Sequence, residues 1–183
     1  MQVVILGAGA WGTALAIHAC HKHPTVLWTR RLDHARHLTE QRMNAQYLPQ
    51  HALPPQLKIR SDSNFDWLKQ DDLVIWAGPV SGFRSPLQHL SAWAAPETTL
   101  AWLCKGFETA AEGGSYGLLP HEIQAQEAPA AWGGALSGPS FADSVASGLP
   151  TALVAASPHE QVRQQLVEAF HHSNLRVYEN NDM

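Results

Sequence analysis

Short apolar runs recur along the chain, each followed by a polar or glycine-bearing loop and then by a segment of helical period. Val3-Val4-Ile5-Leu6, Thr25-Val26-Leu27-Trp28 and Leu73-Val74-Ile75-Trp76 are continuous rather than alternating. That pattern belongs to strands buried on both faces of a parallel sheet. Further strands are predicted at Leu57–Ile59, Thr99–Cys104, Trp132–Leu136, Thr151–Ala155 and Leu175–Tyr178. The segments between them predict helices over Thr13–Cys20, Asp33–Met43 with Asp33 as N-cap, Ser85–Trp93, Tyr116–Gln126, Ser137–Ala146 and Pro158–His172, and a single turn at Phe65–Leu68. Asn44–Pro55 reads as a proline-rich connection, and Pro158 as a first-turn proline.

The first loop carries the most information. Gly7-Ala8-Gly9-Ala10-Trp11-Gly12 lies between a buried strand and a helix, which is the context that gives the G-x-G-x-x-G fingerprint its meaning. Gly7 permits the sharp turn, Gly9 leaves room for a pyrophosphate, and Gly12 lets the helix lie close to the strand. The helix N-terminus adds unpaired N–H groups and partial positive charge. Strand–helix alternation with this turn predicts an α/β fold: a Rossmann-like, doubly wound, mainly parallel sheet with helices on both faces, forming one dinucleotide-binding domain over residues 1–183.

Composition narrows the partners. The net charge of −4 lacks the basic footprint of a nucleic-acid binder. No apolar run nears the roughly 18 residues of a membrane span, and strand one starts too early for a leader peptide. Cys20 and Cys104 read as small buried apolar groups in a reducing compartment, so a cytoplasmic protein is expected. Among 11 histidines, His18, His21 and His23 cluster near Cys20, but no convincing third ligand follows. They read as solvated helix-end residues, and no metal is expected.

Three stations at the predicted carboxyl ends of strands carry candidate chemistry. After strand two, Thr29-Arg30-Arg31 stands where NAD-selective proteins place an acid on the ribose 2′-OH. Two guanidiniums there suit a 2′-phosphate, so NADPH is favoured while NADH stays open; a solvated loop is the alternative. Lys105-Gly106 places a cation at the ligand edge, suited to a carbonyl or another substrate oxygen, or simply to solvent. Ser137-Gly138-Pro139-Ser140 reads as an anion-friendly helix start, Gly138 admitting a ligand and Ser140 capping the helix; a helix start with nothing bound is the alternative.

With Gly7–Ala16, Asn44 and Tyr47-Leu48-Pro49, Lys105-Gly106, Ser137–Ala142 and Gly148–Ala152 in order, the chain resembles the NAD(P)-dependent glycerol-3-phosphate dehydrogenases of bacterial type over essentially its whole length. The resemblance implies reversible hydride transfer between a nicotinamide and dihydroxyacetone phosphate, giving sn-glycerol 3-phosphate for phospholipid synthesis. It implies that Trp11, Arg30, Arg31 and Ala142 line the dinucleotide site, with Ala10 and Gly12 in the pyrophosphate loop and Tyr47 as a further contact. Lys105 would touch cofactor and substrate, and Gly138 and Ser140 would hold the triose phosphate.

Family members continue into a helical C-terminal domain that supplies the acid/base lysine and the phosphate grip. That domain lies outside residues 1–183, so this chain is expected to bind cofactor, turn over negligibly and show an exposed apolar patch where the domain docks. The full-length enzyme is expected to act without nucleic acid or membrane insertion, and a homodimer is an assembly left open. Two rival readings remain: a related β-hydroxyacid dehydrogenase or ketopantoate reductase half, and a stand-alone NAD(P)-sensing module without chemistry.

Overall fold

A computed structural model describes residues 1–109 and 117–183. In chain order the elements are β1 (Val3–Leu6), α1 (Ala10–Ala19), β2 (Thr25–Trp28), α2 (Leu32–Gln41), β3 (Met43–Asn44), β4 (Leu48–Ala52), β5 (Lys58–Arg60), β6 (Leu73–Trp76), α3 (Arg84–Leu90), β7 (Thr99–Trp102), α4 (Pro120–Glu127), β8 (Trp132–Ser137), α5 (Ala142–Ala146), β9 (Thr151–Ala156), α6 (Glu160–Phe170) and β10 (Leu175–Asn180). Eight strands form one sheet in the order β10-β9-β8-β7-β6-β1-β2-β5. Every neighbouring pair is parallel except β8 and β9.

The continuous apolar runs explain the centre of this sheet. In β1, Val3 and Ile5 face a core shared with α1, α2, α5 and α6, while Val4 and Leu6 face a second core under α3 and α4. All four are without exposed surface. Burial on both faces is what a central parallel strand requires, since helices cover it above and below. The pattern changes at the far edge. In β9 and β10, Leu153, Ala155, Leu175 and Val177 are buried, but Val154 and Tyr178, opposite each other in register, are exposed on the other face. Helices therefore cover both faces of the central strands and one face of this edge. Among the seven tryptophans, Trp28, Trp76 and Trp102 are buried and the other four are half-buried.

Several boundaries differ from expectation, each for a local reason. α1 begins at Ala10 rather than Thr13, because Gly9 is the N-cap and its carbonyl accepts the Thr13 N–H at 3.0 Å. α2 is capped by Arg31, so Asp33 is a first-turn residue and not the N-cap; the helix ends where Arg42 turns left-handed at φ 48°. α4 starts at Pro120, the position where a missing N–H costs nothing, and the Glu122 carboxylate accepts the Leu119 N–H at 2.7 Å. Tyr116, the expected helix start, lies outside the described residues. Phe65–Leu68 is a turn, and α3 stops at Leu90. β7 ends at Trp102, before Leu103-Cys104. Pro158 precedes the N-cap His159 of α6 instead of occupying its first turn. The supposed connection at Asn44–Pro55 contains an antiparallel hairpin, β3 with β4, carrying a bulge between Met43 and Asn44. Only Asn44 and Leu48 of those strands are buried, so no apolar alternation marked it. Among the described residues, no helix is long and apolar enough to cross a membrane, and no group of three or more potential metal ligands gathers.

Candidate functional site

The turn after β1 is built for close approach. Gly7 has φ +122°, and a Cβ there would meet Gly78 N at 3.0 Å and the Ala77 carbonyl carbon at 3.1 Å, so a side chain is excluded by both conformation and space. Gly9 is different: nothing lies within 4 Å of its Cβ position. Its backbone faces free space at the N-terminus of α1, whose first turn carries no acidic residue. That is the environment a pyrophosphate needs, with free N–H groups, a favourable dipole and no competing carboxylate.

A cleft of about 810 Å³ opens beyond the carboxyl ends of β1, β2, β5 and β6. It brings Gly7, Gly9, Arg30, Arg31 and Tyr47 onto one surface. The same cleft is lined by residues that the sequence did not single out: His34, Asp62 after β5, and Gly78, Pro79 and Ser81 after β6. Their signal was present in the rule that ligands bind at strand carboxyl ends, which applies to β5 and β6 as well as β2. Trp28 and Trp76 supply apolar wall; the Trp28 indole N–H donates to the Asp62 carbonyl at 2.9 Å.

The electrostatics of the arginine corner hold a correction. Arg31 donates from Nε and Nη2 to the two Asp33 oxygens, at 3.3 and 2.6 Å. The corner therefore contains an acid after all, and Asp33 serves it instead of capping the helix. The Arg31 guanidinium holds the Asp33 carboxyl below its usual range, and the carboxylate in turn raises Arg31. Arg30 is exposed and makes no ion pair with a described residue.

Lys105 and the segment after β8 form a second group. Exposed Lys105 points its Nζ at the Gly138 carbonyl, 3.5 Å away, and Gly106 takes φ +90° beside open space. The following loop is clamped: Arg84 donates to both Glu108 oxygens at 2.8 Å and also to Glu127. Glycine at 138 is explained by packing, since a Cβ would lie 2.6 Å from the Ala152 carbonyl oxygen. Ser140 does not cap α5; its hydroxyl donates to that same Ala152 oxygen at 3.1 Å, and Phe141 is the N-cap. Buried Ala142 and half-buried Trp11 pack into the core between α5 and α1. Ala10 opens α1 and Gly12 is buried in its first turn. Ala10, Trp11, Gly12, Lys105, Gly138, Ser140 and Ala142 are not part of the cleft wall that holds the arginines.

Both cysteines are free. Burial pushes the Cys104 thiol up to about 11 and raises Cys20 as well, so neither is a nucleophile near neutral pH. His18 is not a solvated helix-end residue: it is half-buried against α6, its Nε2 3.0 Å from the Phe170 carbonyl, and burial lowers its pKa.

Residues 2–163 match the family model described as the NAD-dependent glycerol-3-phosphate dehydrogenase N-terminus. The chain is 49% identical, over its full length, to the glycerol-3-phosphate dehydrogenase [NAD(P)+] of Variovorax paradoxus, and 46% identical to that of Acidovorax ebreus. It spans about half of each, 54%. A crystal structure of glycerol-3-phosphate dehydrogenase from Coxiella burnetii superposes with a TM-score of 0.87 at 32% identity, over 100% of this chain and 54% of that one.

Proposed function

This chain belongs to the NAD-dependent glycerol-3-phosphate dehydrogenase family, and from that premise we propose that it is the cofactor-binding half of an enzyme interconverting dihydroxyacetone phosphate and sn-glycerol 3-phosphate for glycerophospholipid synthesis. The observation that carries this reading is the meeting of the Gly7–Gly9 turn and the Arg30-Arg31 corner on one cleft. The open space over Gly9 fits a pyrophosphate, and the exposed Arg30 beside Arg31 fits a 2′-phosphate, so NADPH is preferred over NADH. When bound, the nicotinamide supplies the hydride.

The chain's own residues position and discriminate. Gly7, Gly9 and Ala10 form the pyrophosphate loop, which Gly12 closes by packing on Gly7, Arg30, Arg31 and Tyr47 take the adenosine end, and Trp11 and Ala142 support the wall from the core side. Lys105, held near Gly138, offers an ammonium to the substrate oxygen, while Gly138 and Ser140 steady the triose phosphate. No residue within 1–183 is assigned the proton donor for the C2 oxygen. General acid–base help is worth roughly 10²–10⁴ in rate, and the roles given to residues 1–183 are cofactor binding and substrate positioning. Two free cysteines fit a reducing cytoplasm.

Calorimetric titration of the chain with NADPH and with NADH tests this reading. Saturable binding, tighter for NADPH, is the expected result. Binding of neither nucleotide overturns it, and equal affinities overturn the role given to the two arginines.

A further inference from the structure

One buried asparagine sets the polarity of a hydrogen-bond relay between the two halves of the cleft. Asn44 has no exposed surface. Its amide lies 3.0 Å from the Ala8 carbonyl, which can only accept, so the atom facing it is Nδ2. The second Nδ2 hydrogen goes to Thr13 Oγ1 at 2.7 Å. With both donors used, Asn44 Oδ1 faces His34 Nε2 at 3.3 Å and can only accept, so Nε2 carries the ring proton. In the neutral imidazole Nδ1 is then the acceptor, and the Thr29 hydroxyl, 3.5 Å away, donates to it. The same Thr29 oxygen accepts the Arg31 backbone N–H at 3.4 Å.

The relay runs without a break from Ala8, between the two turn glycines, through Asn44, His34 and Thr29 to the backbone of Arg31. Each link is buried or nearly so: His34 is 7% exposed and Thr29 6%. In such surroundings an unmade hydrogen bond costs more than a made one gains, which makes the arrangement directional and discrete. Tyr47 closes over the outer edge of the imidazole, ring centroids 5.7 Å apart at 65°.

We propose that His34 is a positioning residue for cofactor choice: through Asn44 and Thr29 it fixes the arginine corner relative to the pyrophosphate turn, and so sets the preference for a 2′-phosphate over a 2′-hydroxyl. The proposal rests on the nucleotide reading given above. A pyrophosphate anchored at Gly9 places the far ribose at a set reach, and discrimination there depends on the arginine corner being held at that reach.

The test is the ratio of NADPH to NADH affinity, measured by calorimetry on the chain and its variants, with thermal melting as the fold control. His34→Ala should weaken NADPH by about five-fold or more and NADH by less than about two-fold, the scale of one lost buried hydrogen bond. His34→Gln, which retains a donor and an acceptor, should recover part of the ratio. Thr29→Val removes the hydroxyl link to Arg31 but leaves His34 on Asn44, and should reproduce the NADPH-selective loss even if His34→Ala melts. In an Arg31→Ala background, His34→Ala should change the ratio no further. Equal weakening of both cofactors, an unchanged ratio in Thr29→Val, or additive effects with Arg31→Ala would each overturn the proposal. Unmodified chain that binds both nucleotides equally would instead remove the arginine reading, and this proposal with it.

Discussion

Gly12 sits so close to Gly7 that a Cβ on Gly12 would lie 1.9 Å from the Gly7 carbonyl oxygen. No rotamer relieves such a contact, because the Cβ position is fixed by the backbone and its neighbour is a backbone oxygen. The third glycine of the fingerprint is therefore a packing residue, whereas the second, Gly9, has nothing within 4 Å and is free for a ligand. The two positions separate stability from binding. Gly12→Ala should cost about 3 kcal/mol or more, at or beyond the upper end of ordinary overpacking. Gly9→Ala should cost under about 1 kcal/mol, a cap preference only. It should nevertheless weaken cofactor binding by about ten-fold or more, about 1.4 kcal/mol. Melting curves and titrations of the two variants side by side check both halves, and equal destabilisation would refute the division.

The ion pair between Arg31 and Asp33 occupies a guanidinium that a 2′-phosphate would use. Asp33→Asn should raise NADPH affinity by about two- to five-fold and leave NADH nearly unchanged, the range expected for releasing one exposed pair. The gain should shrink in high salt, because the contact is exposed. A loss for NADH instead would mean that Asp33 acts on the ribose hydroxyls, not on Arg31.

Arg84 ties the loop after Lys105 to α3 and α4 through Glu108 and Glu127. Its guanidinium holds the Glu108 carboxyl below the ordinary 4.5. A carboxyl depressed on folding contributes stability that is complete above its unfolded pKa and is lost as pH falls through the folded one. The chain should therefore lose this contribution below about pH 4.5, and Arg84→Ala should lose about 1–3 kcal/mol at neutral pH with a flatter acid limb. Denaturant midpoints from pH 7 to pH 3 measure both.

His18 works in the opposite charge sense but with the same pH direction. Burial, with His172, His21 and Lys22 nearby, lowers it from 6.5. The unfolded chain then binds the proton more readily, so stability is greatest above 6.5 and declines as pH falls below it. The contribution vanishes with the ring: His18→Gln should show a shallower fall in melting temperature between pH 7.5 and 5.5 than the parent chain. An unchanged slope would place the titrating group elsewhere among the histidines.

β1, β2 and β6 were legible to the residue because strands buried on both faces must be apolar at every position, and polar neighbours mark their ends. The glycine turn was legible for a similar reason, since only glycine satisfies φ +122° at Gly7 and the 1.9 Å approach at Gly12. The rule that ligands gather at strand carboxyl ends pointed to both the arginine corner and Lys105, and the fold sets Lys105 apart from the cleft that holds the arginines. The hairpin of β3 and β4 was invisible because its exposed residues share no apolar period, and the antiparallel β9 because direction leaves no mark on a short apolar run.

Local composition thus determined the strands of the main sheet, their order and the geometry of the glycine turn. Tertiary structure alone decided which polar groups meet: Asp33 on Arg31, Ser140 on the Ala152 carbonyl, and Asn44 linking Ala8 to His34 across 36 and 10 residues of sequence. Hydrophobic burial is non-directional and can be read from a pattern along the chain. A hydrogen bond depends on a few tenths of an ångström between groups brought together only by the fold.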